Sequence, residues 1–168
     1  MRLFFALWPD ADAAARLAGI AAGLTVHAPG RRVHPKNHHV TLAFLGEVPD
    51  SQLAMLQRVA GSVKAHRFTI AFDSLEYWPQ SQVVAAAARK SSPGLLRLAV
   101  QLHAATGPAP QRFHAHVTLA RKMTQAPVLQ AMSTIGWEAV SFSLVRSDTG
   151  GAESAYTVLD TWPLLDET

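Results

Sequence analysis

Two patterns of apolar residues follow each other at the start of the chain. Residues 2–8, RLFFALW, form an apolar run that stops at Pro9, and this predicts a buried strand. From Asp10 to about His27 the apolar residues recur at helical spacing, which predicts a helix that has Asp10 as its cap and ends before Pro29. The chain is therefore expected to open with a strand followed by a helix.

The alternation of strand and helix patterns continues along the rest of the chain. β-Branched and apolar runs predict strands over 38–45, 67–75, 82–88, 114–121, 137–147 and 154–164, the last two paired around Gly150-Gly151. Apolar stripes predict a helix after Asp50-Ser51, a helix over 91–106 with Ser92 as N-cap and Pro93 in its first position, and a short helix over 126–133.

The two halves of the chain show the same order of elements. Residues 2–75 and 82–147 both run strand, helix, strand, helix, strand, and the letters HVTLA occur on the central strand of each half, at 39–43 and 116–120. An ancient internal repeat produces this kind of self-similarity. We therefore expect one domain over 1–168, with a C-terminal strand added to the repeat and two similar halves that face each other across a cleft.

Composition limits the class of protein. Of the 168 residues, 49% are apolar and 16% are charged, which is typical of a globular chain. The sequence contains no cysteine, which excludes disulfides, thiolate zinc sites and a Cys nucleophile, and fits a cytoplasmic location. The N-terminal apolar run is too short for a signal peptide, and no run approaches the length of a membrane span. We expect a soluble cytoplasmic monomer.

The repeated His-x-Thr pattern carries the candidate chemistry. Residues i and i+2 of a strand share a face, so His39 projects with Thr41, and His116 projects with Thr118. Two opposed imidazoles suit a reaction that removes one proton and delivers another, because the pKa of histidine lies near neutrality. The alternative is that each histidine is a packed core residue, but the repetition favours a reaction, such as in-line displacement at phosphorus without a metal.

These motifs resemble those of a known family. The segments NHHVTLAFLGEV and FHAHVTLAR look like the two signature motifs of the two-histidine phosphoesterases, specifically the RNA 2′,3′-cyclic phosphodiesterases, historically called 2′-5′ RNA ligases. The similarity extends over nearly the whole chain. It implies an α+β fold of two pseudo-symmetric lobes of antiparallel sheet, with helices packed outside and the active-site cleft between the lobes. It also implies hydrolysis of a ribose 2′,3′-cyclic phosphate to a 2′-phosphate, with no cofactor.

The resemblance assigns a role to each residue of the doubled motif. His116 would be the proton acceptor that activates water, and His39 would be the proton donor to the departing 3′ oxygen, although pseudo-symmetry allows these labels to be exchanged. Thr41 and Thr118 would bind the non-bridging phosphate oxygens.

Two further positions near the second motif bear on the resemblance. Arg121 matches a family arginine and could clamp the phosphate, or it could be a solvated cation at the end of a strand. The family usually has proline just before the second histidine, where this chain has Ala115. That difference loosens the backbone locally but changes no catalytic atom.

Several other residues are candidates for supporting roles. A metal site made of histidines would involve His34, His38 and His114, but cleft-rim positions for His34 and His114 and a buried position for His38 are favoured. Three basic residues could line an RNA path or simply be solvated, namely Arg31, Arg32 and Lys36. Four aromatic residues could stack on a base or pack in the core, namely Phe44, Trp78, Phe113 and Tyr156. Asn37 is a candidate turn residue.

Two alternatives to the main hypothesis stay open. One is a related two-histidine enzyme that acts on small cyclic nucleotides, 2′-5′ oligonucleotides or ADP-ribose cyclic phosphate, and 2′-5′ RNA ligation would be the reverse of the same displacement. The other is an RNA-binding module that keeps the cleft without catalysis. Expected ligands are RNA ends or small nucleotides, with no obligate protein partner.

Overall fold

A computed structural model describes residues 1–24, 28–107, 113–148 and 154–166. Its strands are β1 (Arg2–Leu7), β2 (Arg31–Arg32), β3 (Val40–Glu47), β4 (Phe68–Phe72), β5 (Ser74–Trp78), β6 (Val83–Ala87), β7 (His116–Arg121), β8 (Ile135–Ala139), β9 (Ser141–Asp148) and β10 (Ala155–Pro163). Its α-helices are α1 (Ala11–Leu24), α2 (Leu53–Ser62) and α3 (Pro93–Thr106), and short 3-10 turns cover Pro35–Asn37 and Asp50–Gln52.

The helices begin where the sequence places their caps. The Asp10 carboxylate accepts a hydrogen bond from the Ala13 N–H at 2.8 Å, before the first turn of α1. The Ser92 hydroxyl accepts one from the Leu95 N–H at 3.2 Å, and Pro93 occupies the first position of α3. Both predicted caps are confirmed, because each side chain satisfies an N–H that the helix itself leaves unpaired.

The large sheet brings the two repeated motifs side by side. Within the described ranges it has eight strands in the order β10-β9-β1-β3-β7-β6-β5, with β2 also on β7, and its strand pairs are antiparallel. The motif strands β3 and β7 are neighbours at the centre, where Val40 lies opposite Val117. The predicted combination of α-helices with antiparallel sheet is confirmed, and apart from β2 and β10 the order is symmetric about the β3–β7 pair.

The third predicted strand of each half, over 67–75 and 137–147, divides into two strands, and these pair with strands of the other half. The predicted strand over 67–75 breaks at Asp73: β4 pairs with β8 in a separate two-stranded sheet, whereas β5 joins β6 in the large sheet. In the second half β8 and β9 likewise follow each other, and β9 joins β1. The predictions of one continuous strand over 67–75 and another over 137–147 are wrong, because the hydrogen-bond partner changes from one sheet to the other in each case.

Two other predictions concern the C-terminal half. The helix predicted over 126–133 is wrong, since these residues are neither helical nor extended in a sheet. A helix of eight residues is marginal unless it buries a face, and Val128 within it is 91% exposed. The predicted final strand pair is confirmed by β9 and β10, while its Gly150-Gly151 turn lies outside the described residues.

The core lies on the face of the large sheet that is opposite the histidine side chains. Leu42 and Leu119, from the two motifs, are 1% and 0% exposed, as their alternation with the histidines predicts. Helix α1 of the first half packs against β7 of the second, and α3 packs against β3. No helix in the described ranges is long and apolar enough to cross a membrane. The helices thus cover one face and leave the other for the site.

Candidate active site

A β-bulge in each motif strand determines which side chains reach the cleft. On β7, Thr118 pairs with Ala85 and Ala120 pairs with Val84, so Leu119 between them is the extra residue. On β3 the same irregularity falls at Leu42, and a second one falls at Leu45. On a regular strand Arg121, five residues after His116, would point to the opposite face, but the extra residue returns it to the face of His116 and Thr118.

Each catalytic candidate is held by the backbone two residues before it. The Nδ1 of His39 lies 2.7 Å from the Asn37 carbonyl oxygen, and the Nδ1 of His116 lies 2.8 Å from the His114 carbonyl oxygen. A carbonyl only accepts, so each Nδ1 carries the hydrogen and each neutral ring has its lone pair on Nε2. The Nε2 of His39 lies 3.1 Å from the Thr41 hydroxyl. Both rings therefore present Nε2 for proton transfer.

An aromatic cage of Phe4, Trp8 and Tyr156 surrounds the imidazole of His39. The ring centroids lie 4.9, 5.6 and 5.2 Å from that of His39. Burial lowers the pKa of His39 from 6.5 to about 4, since the apolar surroundings disfavour the charged ring, and the positive charges of Arg121, His116 and His38 act in the same direction. The Asn37 carbonyl opposes this shift. His39 is the more strongly dehydrated member of the pair.

His116 has a different environment. The indole of Trp78 lies edge-on to its ring at a centroid distance of 4.8 Å. Burial is again the largest effect and lowers the pKa of His116, as do the charges of His114 and Arg121, while the His114 carbonyl and the carboxylate of Glu76 raise it. Because Arg121 acts on both histidines, its guanidinium lies within electrostatic reach of both rings.

The basic candidates lie around this centre. In the pairing of β2 with β7, Arg31 is opposite Arg121 and Arg32 is opposite Ala120. Both β2 arginines and Lys36 are exposed. Arg31 and Arg121 therefore bring two guanidinium groups to one edge of the motif strands, where an anionic ligand would be attracted.

His38 is buried, and His34 and Asn37 form hydrogen bonds with backbone groups. His38 is 1% exposed, as predicted, and its pKa is lowered chiefly by burial. The exposed His34 accepts a hydrogen bond from the Lys36 N–H through its Nδ1, and the Asn37 amide donates to the Ser154 carbonyl at 2.9 Å. Among the described residues no group of three or more histidine or carboxylate side chains is placed to hold a metal ion.

The four aromatic candidates separate into two pairs. Tyr156 and Trp78 lie beside the two histidines. Phe44 is 52% exposed beneath the guanidinium of Arg2, and Phe113, next to the second motif, packs against the hydrophobic core. The first pair is placed to contact a ligand in the cleft.

Sequence reasoning missed three residues of the site, namely Phe4, Trp8 and Glu76. Phe4 and Trp8 belong to an apolar run that predicts only a buried strand. The alternation of β5 places Glu76 and Trp78 on one face. Nothing in the sequence, however, reveals that β5 joins the sheet beside β6 and so approaches the second motif.

A cavity beside His39 extends the cleft. It has a volume of about 510 Å³, and its lining includes Trp8, Lys36 and Tyr156. A slightly larger cavity of about 570 Å³ lies between α1 and residues 128–135, and neither histidine lines it. The first cavity is continuous with the aromatic cage and is therefore part of the candidate site.

Comparison with known proteins identifies the family. A family model described as LigT like Phosphoesterase matches residues 7–85. A protein of Escherichia coli named RNA 2′,3′-cyclic phosphodiesterase is 31% identical, and the match covers 97% of this chain and 96% of the relative. The chain belongs to the LigT-like phosphoesterase family. The resemblance predicted from its two motifs is confirmed.

Other members of the LigT-like phosphoesterase family support this placement. A Thermus thermophilus protein of the same name is 30% identical over 99% of this chain and 92% of its own length. The crystal structure of E. coli LigT complexed with 3′-AMP has a TM-score of 0.85 and 31% identity, and the match covers 98% of both chains. The likeness extends over the full length, including both halves of the cleft.

Proposed function

We propose that this LigT-like phosphoesterase hydrolyses RNA ends that carry a 2′,3′-cyclic phosphate, and that His39 and His116 do so by acid–base catalysis without a metal. The observation that carries the proposal is the pairing of the two HVTLA strands at the centre of one sheet, with each imidazole held through Nδ1 by a backbone carbonyl. Two such groups on opposite sides of a phosphate can remove one proton and supply another.

The proposed reaction balances with these two groups. His116 takes a proton from water as the water oxygen forms a bond to phosphorus, the bond from phosphorus to the ribose 3′ oxygen breaks, and His39 delivers a proton to that oxygen. The product is a 2′-phosphate beside a 3′ hydroxyl. His39 must acquire its proton before this step, and the negative charge of a bound phosphate favours that by raising its pKa.

The phosphate contacts come from the same face. Thr41 and Thr118 donate hydroxyl hydrogen bonds to the non-bridging oxygens, and Arg121 stabilises the charge that gathers there in the transition state. The bulge that places Arg121 on this face supports its role. Its positive charge also lowers the pKa values of both histidines.

The cavity beside His39 supports a nucleotide substrate. Trp8 and Tyr156 offer ring faces on which a base can stack, and Lys36 adds a cation at the rim. The E. coli LigT relative has structures with 3′-AMP and with ATP. We extend the proposal to a monomer that acts as one domain over 1–168 in the cytoplasm, which a chain without cysteine fits.

The test is turnover of an oligoribonucleotide that ends in a 2′,3′-cyclic phosphate, with a chelator present. We expect wild-type protein to yield the 2′-phosphate, and His39→Ala and His116→Ala to lose about 100- to 10,000-fold in kcat. His103→Ala, on α3 and outside the cleft, is the matched control and should keep full activity. Equal turnover in all four proteins would contradict the mechanism, and loss of activity on chelation would indicate a metal.

The same experiment examines the alternatives. Faster turnover of a small cyclic nucleotide, a 2′-5′ oligonucleotide or ADP-ribose cyclic phosphate would identify a different substrate for the same two histidines. Formation of a 2′-5′ joint from two RNA ends would reveal the reverse reaction. Tight binding of the oligonucleotide without any product would indicate an RNA-binding module.

A further inference from the structure

Glu76 places a carboxylate beside the second motif, where the family motif supplies none. On β5 it lies opposite Ala85 of β6, and Ala85 lies opposite Thr118 of β7. Partners across antiparallel strands share a face, so Glu76 is on the cleft side of the sheet together with Thr118. Its side chain is 31% exposed, which leaves the carboxylate partly shielded from solvent.

The carboxylate contacts two residues that in turn contact His116. Its Oε2 accepts a hydrogen bond from the Trp78 indole N–H at 2.9 Å and lies 3.4 Å from the His114 Nε2. The Trp78 ring packs edge-on to His116, and the His114 carbonyl accepts the hydrogen bond from the His116 Nδ1. Glu76 is thus connected to His116 through two neighbours, Trp78 and His114, whose rings also lie edge-on to each other at 5.8 Å.

The two histidines differ in the charged groups that act on them. Within the described ranges, the charges that act on His39 are those of Arg121, His116 and His38, all of them positive or able to become so. Those that act on His116 are His114, Arg121 and Glu76, and only Glu76 is negative. The cleft is symmetric in its motifs but asymmetric in the groups that support them.

We propose that Glu76 is a positioning residue for His116, which it keeps in place through Trp78 and His114 and whose positive charge it stabilises when the ring takes a proton. This inference rests on the proposed function, in which His116 is the base. A carboxylate near a general base favours the imidazolium that forms during the reaction. Glu76 does not itself contact the reacting atoms.

Glu76→Gln tests the proposal, since it removes the charge and keeps the shape and an oxygen that can accept from the Trp78 indole. We expect the titration midpoint of His116, followed by NMR of the free protein, to fall, and that of His39 to change less. One limb of kcat/KM against pH should move to lower pH, because kcat/KM follows the pKa values of the free enzyme and that of His116 is lowered by the substitution. At neutral pH kcat should fall by about tenfold or less, with KM nearly unchanged, because a base with a lower pKa is weaker.

Two further variants sharpen the test. Glu138→Gln, on β8 of the two-stranded sheet, removes the same charge outside the cleft and should leave both limbs in place. Trp78→Phe removes the indole N–H that anchors the carboxylate but keeps an aromatic ring, so its shift should have the same sign as that of Glu76→Gln. A folding defect would appear in all measurements at once and would not move a single limb.

The possible results separate the two proposals. If the His116 midpoint and both limbs are the same in Glu76→Gln as in Glu138→Gln, the positioning role of Glu76 is overturned. If the His116 midpoint falls and one limb moves with it, Glu76 supports His116 as proposed, whichever limb moves. If the wild type shows no turnover, the proposed function fails, while the NMR midpoint still decides whether Glu76 acts on His116.

Discussion

His39 should make the stability of the folded protein depend on pH. Its imidazole lies in the aromatic cage, and its pKa falls from 6.5 to about 4 on folding. Between these values the unfolded chain binds the proton and the folded protein does not. Stability increases with pH wherever the unfolded state binds more protons, so this contribution is present above pH 6.5 and is lost as the pH falls towards 4.

The two pKa values set the size of the effect. Lowering the pH from 7 to 5 should cost the folded state about 2 kcal/mol through His39 alone, and the full loss below pH 4 is about 3 kcal/mol. A domain of this size typically has a total stability of about 5 to 15 kcal/mol, so the loss is a measurable fraction of the whole.

The measurement compares wild type with His39→Gln, which has a polar side chain that does not titrate. Urea unfolding followed by the fluorescence of the four tryptophans gives the free energy of unfolding at pH 5, 6, 7 and 8. The pKa values of His38 and His116 are also lowered, but both residues are present in both proteins, so most of their contribution cancels in the difference. A difference that is the same at pH 5 and pH 7 would refute the reasoning, because it would mean that folding does not lower the pKa of His39.

Two other predictions follow from charge and from packing. Arg121→Gln should raise the pKa values of both histidines and move both limbs of the kcat/KM profile to higher pH. The KM for the cyclic phosphate should increase about tenfold. A pH profile that does not move would show that Arg121 does not act on the two histidines. Gly94→Ala should lower the free energy of urea unfolding by about 1 to 3 kcal/mol, since the new Cβ would lie 2.6 Å from the Cβ of Phe68. Gly19→Ala, the same change in an open position on α1, should instead be neutral or stabilising by up to about 1 kcal/mol, and equal effects at the two positions would contradict the packing argument.

Local rules explain the parts of the structure that the sequence predicts correctly. The caps of α1 and α3 need only a side-chain oxygen near the first free N–H groups. The strand alternation that separates His39 and Thr41 from Leu42 is likewise a property of a few consecutive residues. The prediction over 126–133 failed where the outcome depended on an apolar face being buried, since Val128 remains exposed.

The sequence by itself determined the two HVTLA strands, the faces of their histidines and threonines, and the family to which their motifs point. Only the tertiary structure decided that β5 crosses to the second half and brings Glu76 towards His116, and that the cage of Phe4, Trp8 and Tyr156 encloses His39. The physical reason is that the direction of a side chain along a strand is local. Desolvation and electrostatic coupling, in contrast, depend on which distant strands become neighbours.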